Sequence, residues 1–176
     1  MDNTIQTKRL LLRKPKLSDA SWVTEGLSNF EVAGNMLVPH PFQMDMALDW
    51  LNHAQTLKAP NETRFCIDYQ DQGVGVVSFR EKNGNAQLGY WLNQNQWGQG
   101  IMSEAVKATI GWYYANTKAD IITSGVFHFN MASLAVQYKL GFAEIERSQV
   151  YCPARDQDIE HIDTELTRDT FEAAIL

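Results

Sequence analysis

Gly98 and Gly100 stand one residue apart in Trp97-Gly98-Gln99-Gly100-Ile101-Met102-Ser103, just ahead of a run with helical periodicity. A helix N-terminus carries backbone N–H groups outside the helical ladder and about half an elementary positive charge. Glycine at that point lets an anion such as a phosphate approach the main chain closely. The segment therefore reads as an anion cradle. The P-loop needs Gly-x-x-x-x-Gly-Lys-Ser/Thr, and that spacing is absent. The dinucleotide fingerprint needs a third glycine where this chain has Ser103, and its βαβ unit normally sits early in the sequence.

Other residues could move protons. His128, in Val126-Phe127-His128-Phe129-Asn130, could relay a proton near neutral pH, or be a satisfied strand histidine. His40 sits in the proline-bounded loop 38–42 and is a candidate for touching a substrate, or an exposed loop residue. His161 follows an acidic stretch and is expected to face solvent. Glu25, Glu31, Asp45 and Asp49 could attract a cation or form a solvated helix face. Trp50, Trp91, Trp97 and Trp112 read as core. Cys66 and Cys152 have no metal-ligand spacing and read as reduced, structural residues, so no metal is expected.

These residues need elements to position them. Strands are expected at 8–14, 63–70, 73–80, 86–93, 119–129, 142–151 and 162–168. Helices are expected at 17–30, capped by Ser18 or Asp19, and at 43–57, 98–116 and 131–140, the last ended by Gly141. Residues 152–160 read as a polar loop. The order β-α-α-β-β-β-α-β-α-β-β gives a mixed α/β chain with a β-α-β crossover at its middle. Its 176 residues suit a single domain, 1–176. A net charge of −6 carries no basic footprint for nucleic acid. No run is long enough for a membrane helix and no signal peptide opens the chain, so the cytoplasm is the expected location.

Three segments occur in a set order: TKRLLLRK (7–14), LGYWLNQNQWGQGIMSEAVKA (88–108) and NMASLAVQYKLGF (130–142). Together they resemble the GNAT superfamily of N-acetyltransferases, in its RimJ/RimL-like branch that acetylates N-terminal amines of ribosomal proteins. The resemblance spans about residues 7–168. It implies a mixed, mostly antiparallel sheet of about seven strands, splayed between the fourth and fifth, with about four helices. It also implies acetyl-CoA as co-substrate. Tyr90, Trp91 and Leu92 would meet the pantetheine arm through the splayed strand, and Trp97, Gly98, Gln99, Gly100, Ile101, Met102 and Ser103 would form the pyrophosphate loop. Asn130 would reach the pantetheine, and Ser133 would lie near the thiol. The family loop is Gln/Arg-x-x-Gly-x-Gly/Ala, and here those positions are Trp97, Gly100 and Met102. Met102 is bulky for its slot, so its side chain is expected to turn away from the phosphates. The chain would act as a monomer or homodimer.

The implied reaction is attack of an amine on the acetyl carbonyl. Leu92 N–H is the candidate oxyanion donor. Ser133 and Tyr138 are the candidates to protonate the leaving thiolate. Many relatives carry a tyrosine where this chain has Gln137, and one helical step turns Tyr138 by about 100° from that direction. Ser133 could instead cap its helix. Gln87 occupies the slot of a family glutamate beside the acceptor and cannot take up a proton. A second family glutamate falls near Tyr151-Cys152, so a carboxylate base is missing. An α-amine costs only about 1.2 kcal/mol to keep neutral at pH 7, against about 4.6 for a lysine-like or polyamine nitrogen. The sequence thus favours a protein N-terminal α-amine, with His40, Gln87 and His128 as candidate substrate contacts. A small-molecule amine (polyamine, amino acid or aminoglycoside) and a catalytically silent acyl-CoA-binding module are the alternatives.

Overall fold

Eight strands of the described residues, 4–176, form one sheet in the order β1-β2-β3-β4-β5-β6-β8-β7 in this computed structural model. Residues 1–3 of the expected domain lie outside the described residues. The strands are β1 (Ile5–Gln6), β2 (Leu10–Arg13), β3 (Arg64–Tyr69), β4 (Gln72–Lys82), β5 (Asn85–Leu92), β6 (Ile121–Phe127), β7 (Ala143–Cys152) and β8 (Gln157–Thr167). The helices are α1 (Ala20–Ser28), α2 (Phe30–Ala33), α3 (Met44–Thr56), α4 (Ile101–Asn116), α5 (Met131–Lys139) and α6 (Arg168–Ile175). Every strand pair is antiparallel except β5 with β6, which the α4 crossover makes parallel.

Strand alternation sends side chains to two cores. Leu12, Phe65, Ile67, Phe79 and Leu88 pack beneath α4, against Ile101, Ala105, Val106 and Ile110. Cys66, Val76 and Trp91 face the opposite side, where Val23, Leu27, Ala47 and Leu51 of α1 and α3 cover them. Both faces are covered, so β4 reads Val74, Val76, Val77 without a polar break.

Several expected boundaries move. The helix expected over 17–30 breaks at Asn29, whose extended backbone and side chain cap α2 by accepting from Glu31 N–H. Asp19 precedes α1 but its carboxylate does not cap it. It accepts instead from both Nη atoms of Arg13, from Lys16 N–H and from Trp22 Nε1. The expected loop 152–160 shrinks to 153–156, because β7 and β8 make a long two-stranded ribbon at the sheet edge. Polar residues there reflect an exposed ribbon rather than a loop. Two elements are added: β1, which pairs with β2, and α6, started by a capping box of Thr167 and Thr170. Among the described residues no helix is long and apolar enough to cross a membrane.

The Arg13–Asp19 pair sits under α1, with Asp19 4% exposed. Burial pushes the Asp19 carboxyl up, but Arg13, the Lys16 amide and the Trp22 indole outweigh it and hold the group at about 2. Its contribution to stability is whole above the ordinary value of 3.8 and is lost as pH falls through about 2. Asp19→Asn should cost about 2 kcal/mol at pH 7, since Arg13 loses the carboxylate that accepts from both its Nη atoms and keeps only Asp68. Urea unfolding at pH 7 and pH 3 checks this: the gap between wild type and variant narrows on acidification.

Candidate active site

β5 and β6 pair only at Ala86–Ile122 and Gln87–Thr123. Ser124 Oγ donates to Leu88 O at 3.0 Å one step further on, and the pairing ends there. On the other edge of β5, Asn93 N–H donates to Val74 O at 2.8 Å. Gly75 and Leu92 are therefore a non-hydrogen-bonded pair, and the main-chain groups of Leu92 and Tyr90 point away from β4, into the opening. Leu92 C=O accepts Trp97 Nε1 at 2.8 Å, which pins the following loop.

That loop delivers the chain to α4. Gly98 (φ 75°) and Gly100 (φ 72°) both lie in the left-handed region, and Gly100 is the N-cap. The first bond of the helical ladder runs from Glu104 N–H to Gly100 O at 3.1 Å, so the amides of residues 101–103 precede it. No side chain caps this end. A Cβ placed on Gly98 would meet no heavy atom within 4 Å, so the approach is open. Arg9 ties the loop down, donating from Nη1 to Gln99 O at 2.9 Å and from Nε to Glu104 Oε2 at 2.7 Å. A cleft of about 600 Å³ runs along this edge, from Tyr90–Leu92 past Trp97, Gly98 and residues 100–103 to Asn130 and Ser133. Three amides at a helix start, beside two left-handed glycines, fit the diphosphate of acetyl-CoA. The outward main-chain groups of β5 fit its pantetheine arm.

A second cavity, of about 390 Å³, lies on the face of the sheet beneath α1 and α3. Register places Arg64, Ser78, Arg80, Gln87, Gly89, Gly125 and His161 on that face, across β3, β4, β5, β6 and β8. All seven line the cavity. The two cavities meet at Tyr90, Trp91, Asn130 and Ser133, which line both. At this junction Ser133 Oγ donates to the Tyr90 hydroxyl at 2.8 Å, and that hydroxyl donates to Ser133 O at 3.1 Å. Burial raises the Tyr90 pKa, against opposing hydrogen bonds from Ser133 and Gln137, so the phenol stays protonated. His161 Nδ1 lies 3.1 Å from Asp163 Oδ1, and Asp163 Oδ2 accepts from Ser148 Oγ at 2.7 Å. The imidazole rests on Gly125: a Cβ there would come within 2.2 Å of His161 Cε1.

Residues 9–143 match the family model for the acetyltransferase (GNAT) domain. The chain belongs to the GNAT acetyltransferase family. An uncharacterized N-acetyltransferase, p20, of Bacillus licheniformis is 30% identical over 145 residues, 79% of this chain and 82% of that protein. RimL, a ribosomal L7/L12 α-N-protein acetyltransferase solved with coenzyme A, superposes with a TM-score of 0.81 at 21% identity, covering 96% of this chain and 99% of that one. Spermidine N-acetyltransferase of Vibrio cholerae, solved with CoA and spermine, gives 0.81 at 15% identity, covering 94% and 99%. The splay lies where the resemblance placed it, between β5 and β6.

Within this GNAT chain the expected coenzyme residues converge on one cleft, with one exception. Gln99 does not line it: its carbonyl holds Arg9, and its side chain reaches Asn95 O at 3.3 Å. Met102 packs against the main core while bordering the cleft. Asn130, rather than Ser133, caps α5, accepting from Ser133 N–H at 3.2 Å and leaving Ser133 Oγ for Tyr90. Tyr138 is 47% exposed and lines neither cavity, because the inward direction belongs to Gln137. Gln137 is fully buried, donating to Ser124 Oγ and accepting from Thr164 Oγ1. Of the expected substrate contacts, Gln87 lines the second cavity. His40 and His128 line neither cavity and are exposed: His40 packs edge-on against Phe30, and His128 lies one residue beyond β6, with Nδ1 3.3 Å from Glu160 O. His161, expected in solvent, has a side chain only 13% exposed. Among the described residues no cluster of His, Cys, Asp or Glu is placed to hold a metal.

Proposed function

We propose that this GNAT acetyltransferase moves the acetyl group of acetyl-CoA to a primary α-amine, with a polypeptide N-terminus such as that of a ribosomal protein as acceptor. The observation that carries this reading is the meeting of the two cavities at Tyr90 and Ser133. A coenzyme along β5 and an amine from the opposite face would come together there, aligned without further motion. Acetyl-CoA supplies the acetyl group as an activated thioester and departs as a thiol. Leu92 N–H faces the opening and serves as a donor to the developing oxyanion. His161, oriented through Nδ1 by Asp163, takes the amine proton. Tyr90, held protonated and coupled to Ser133, gives a proton to the departing sulfur.

A lone imidazole suits an acceptor that is already partly neutral. At pH 7 an α-amine requires about 1.2 kcal/mol to lose its proton, against about 4.6 for a polyamine nitrogen. The acceptor-side cavity also has no Asp or Glu among its lining residues to attract a polycation. Thiol release measured with a peptide bearing a free N-terminus and with spermidine, each with acetyl-CoA, tests the proposal. The peptide should turn over faster. Faster spermidine acetylation overturns the α-amine assignment, and tight CoA binding without release of thiol on any amine would make the chain a silent acyl-CoA-binding module.

A further inference from the structure

Arg64 and Arg80 stand out in the acceptor-side cavity, in a protein whose net charge is −6. Arg64 pairs with Ser78 across β3 and β4, and Arg80 follows Ser78 by one strand repeat, so the two arginines rise from the same face. Arg9, Arg13 and Arg147 meet carboxylates, Glu104, Asp19 and Asp68, and Glu144 and Glu160, whereas Arg155 and Arg168 hold main-chain carbonyls outside this cavity. Among the described residues neither Arg64 nor Arg80 forms an ion pair. Arg64 donates to Trp50 O at 2.8 Å, lies 3.2 Å from His53 Nδ1 and stacks 4.8 Å from the centre of the Trp50 ring. These contacts fix the guanidinium without neutralising it. Burial, and then the charge of Arg80, lower the Arg64 pKa, with Glu62 opposing. Two cations, one fixed and one exposed, thus rise from the same face of a cavity whose lining contains no carboxylate.

We propose that Arg64 and Arg80 form an anion subsite and that the amine acceptor carries a carboxylate or phosphate beside its reacting nitrogen. This rests on the acetyltransferase reading and narrows its substrate class. A planar guanidinium, pre-oriented on Trp50, offers paired N–H donors to a carboxylate or phosphate. A cavity lined by one sign of charge concentrates ligands of the other sign. On this view an N-terminus followed by acidic residues is favoured and a polyamine is rejected, by charge as well as by the cost of deprotonation. Both arginines act on binding, and the acetyl transfer itself is left to the junction of the cavities.

The test uses the full-length protein, acetyl-CoA and pairs of amines that differ in negative charge. Ala-Asp-Glu-Phe-amide is compared with Ala-Asn-Gln-Phe-amide, and phosphoethanolamine with ethanolamine. Wild type should favour an acidic member at least about tenfold in kcat/KM, the size of one charge-assisted hydrogen bond. A preference confined to the peptide pair identifies a polypeptide acid, and one confined to phosphoethanolamine a small phosphate-bearing amine; either supports the subsite. Arg80→Gln, at an exposed position, should bring the ratio toward one through KM, with Arg80→Lys keeping part of it. Arg64→Gln should act in the same direction. A wild-type ratio near or below one, or a ratio that survives Arg80→Gln and Arg64→Gln, overturns the subsite and leaves the acetyltransferase reading standing. Absence of turnover with every amine, while calorimetry still detects acetyl-CoA binding, overturns both.

Discussion

His161→Ala lowers kcat by about 10²- to 10³-fold, the range of a positioned general base, while the affinity for acetyl-CoA stays near wild type. The imidazole lines only the acceptor-side cavity, so the coenzyme cleft should not register its loss. Imidazole added to the buffer should restore part of the rate in His161→Ala, where the removed ring leaves room, and not in His161→Gln. Two further variants separate position from chemistry. Gly125→Ala keeps the histidine but would force a Cβ within 2.2 Å of Cε1, so the ring must move. A misplaced base costs up to about 10² in rate, and added imidazole should not repair it. Asp163→Asn removes the carboxylate 3.1 Å from Nδ1 and should fall between wild type and His161→Ala. A His161→Ala enzyme with wild-type kcat would move the base elsewhere.

The sequence places that histidine in solvent for a physical reason. Residues 152–160 are polar and carry a Pro, which is how loops read, and His161 directly follows them. In the fold they belong to a ribbon whose exposed side tolerates any polar residue, and β8 begins at Gln157. Once β8 is known, period two places His161, Asp163 and Glu165 on one face, and pairing with β6 brings that face over Gly125. Arg64 and Arg80 are sixteen residues apart and meet only through the β3–β4 register. Nothing local in either segment announces the other.

The glycine loop and helix start at residues 97–103 are legible in the sequence because their requirements are local. Left-handed backbone at 98 and 100 calls for glycine, and a helix start follows within one residue. Asn130 and Ser133 lie at the start of one helix, three apart, the spacing of a cap and the amide it accepts from. Tyr90 shows the boundary of such reading. Its main chain could be assigned to the coenzyme from its place in β5, but its hydroxyl acquires a role only by reaching Ser133, 43 residues away. The sequence points to a tyrosine on the helix that carries Ser133, where Tyr138 is exposed. The fold places the Tyr90 phenol from the strand within 2.8 Å of Ser133 Oγ, and fills the helical slot with Gln137 tied to Ser124 and Thr164.

Tyr90→Phe should therefore lower kcat by about 10²-fold, the contribution of a general acid, with little change in the KM for the amine. Burial raises the Tyr90 pKa, so the wild-type phenol keeps its proton through neutral pH and is available to the leaving sulfur throughout that range. Ser133→Ala removes the hydroxyl that donates to Tyr90 but leaves the phenol and its bond to Ser133 O, so its loss should be smaller. Because the two hydroxyls act as one unit, the double variant should be little worse than Tyr90→Phe alone. A structural defect would also slow the enzyme, so the deciding measurement varies the leaving group. A thioester of a strongly acidic arylthiol departs as a stable thiolate and needs no proton. With that donor the deficit of Tyr90→Phe should shrink toward wild type, whereas His161→Ala, which acts on the amine, should remain slow. An equal deficit with both donors would mean that Tyr90 only shapes the cleft, and the proton for the sulfur would have to come from Ser133 or from solvent.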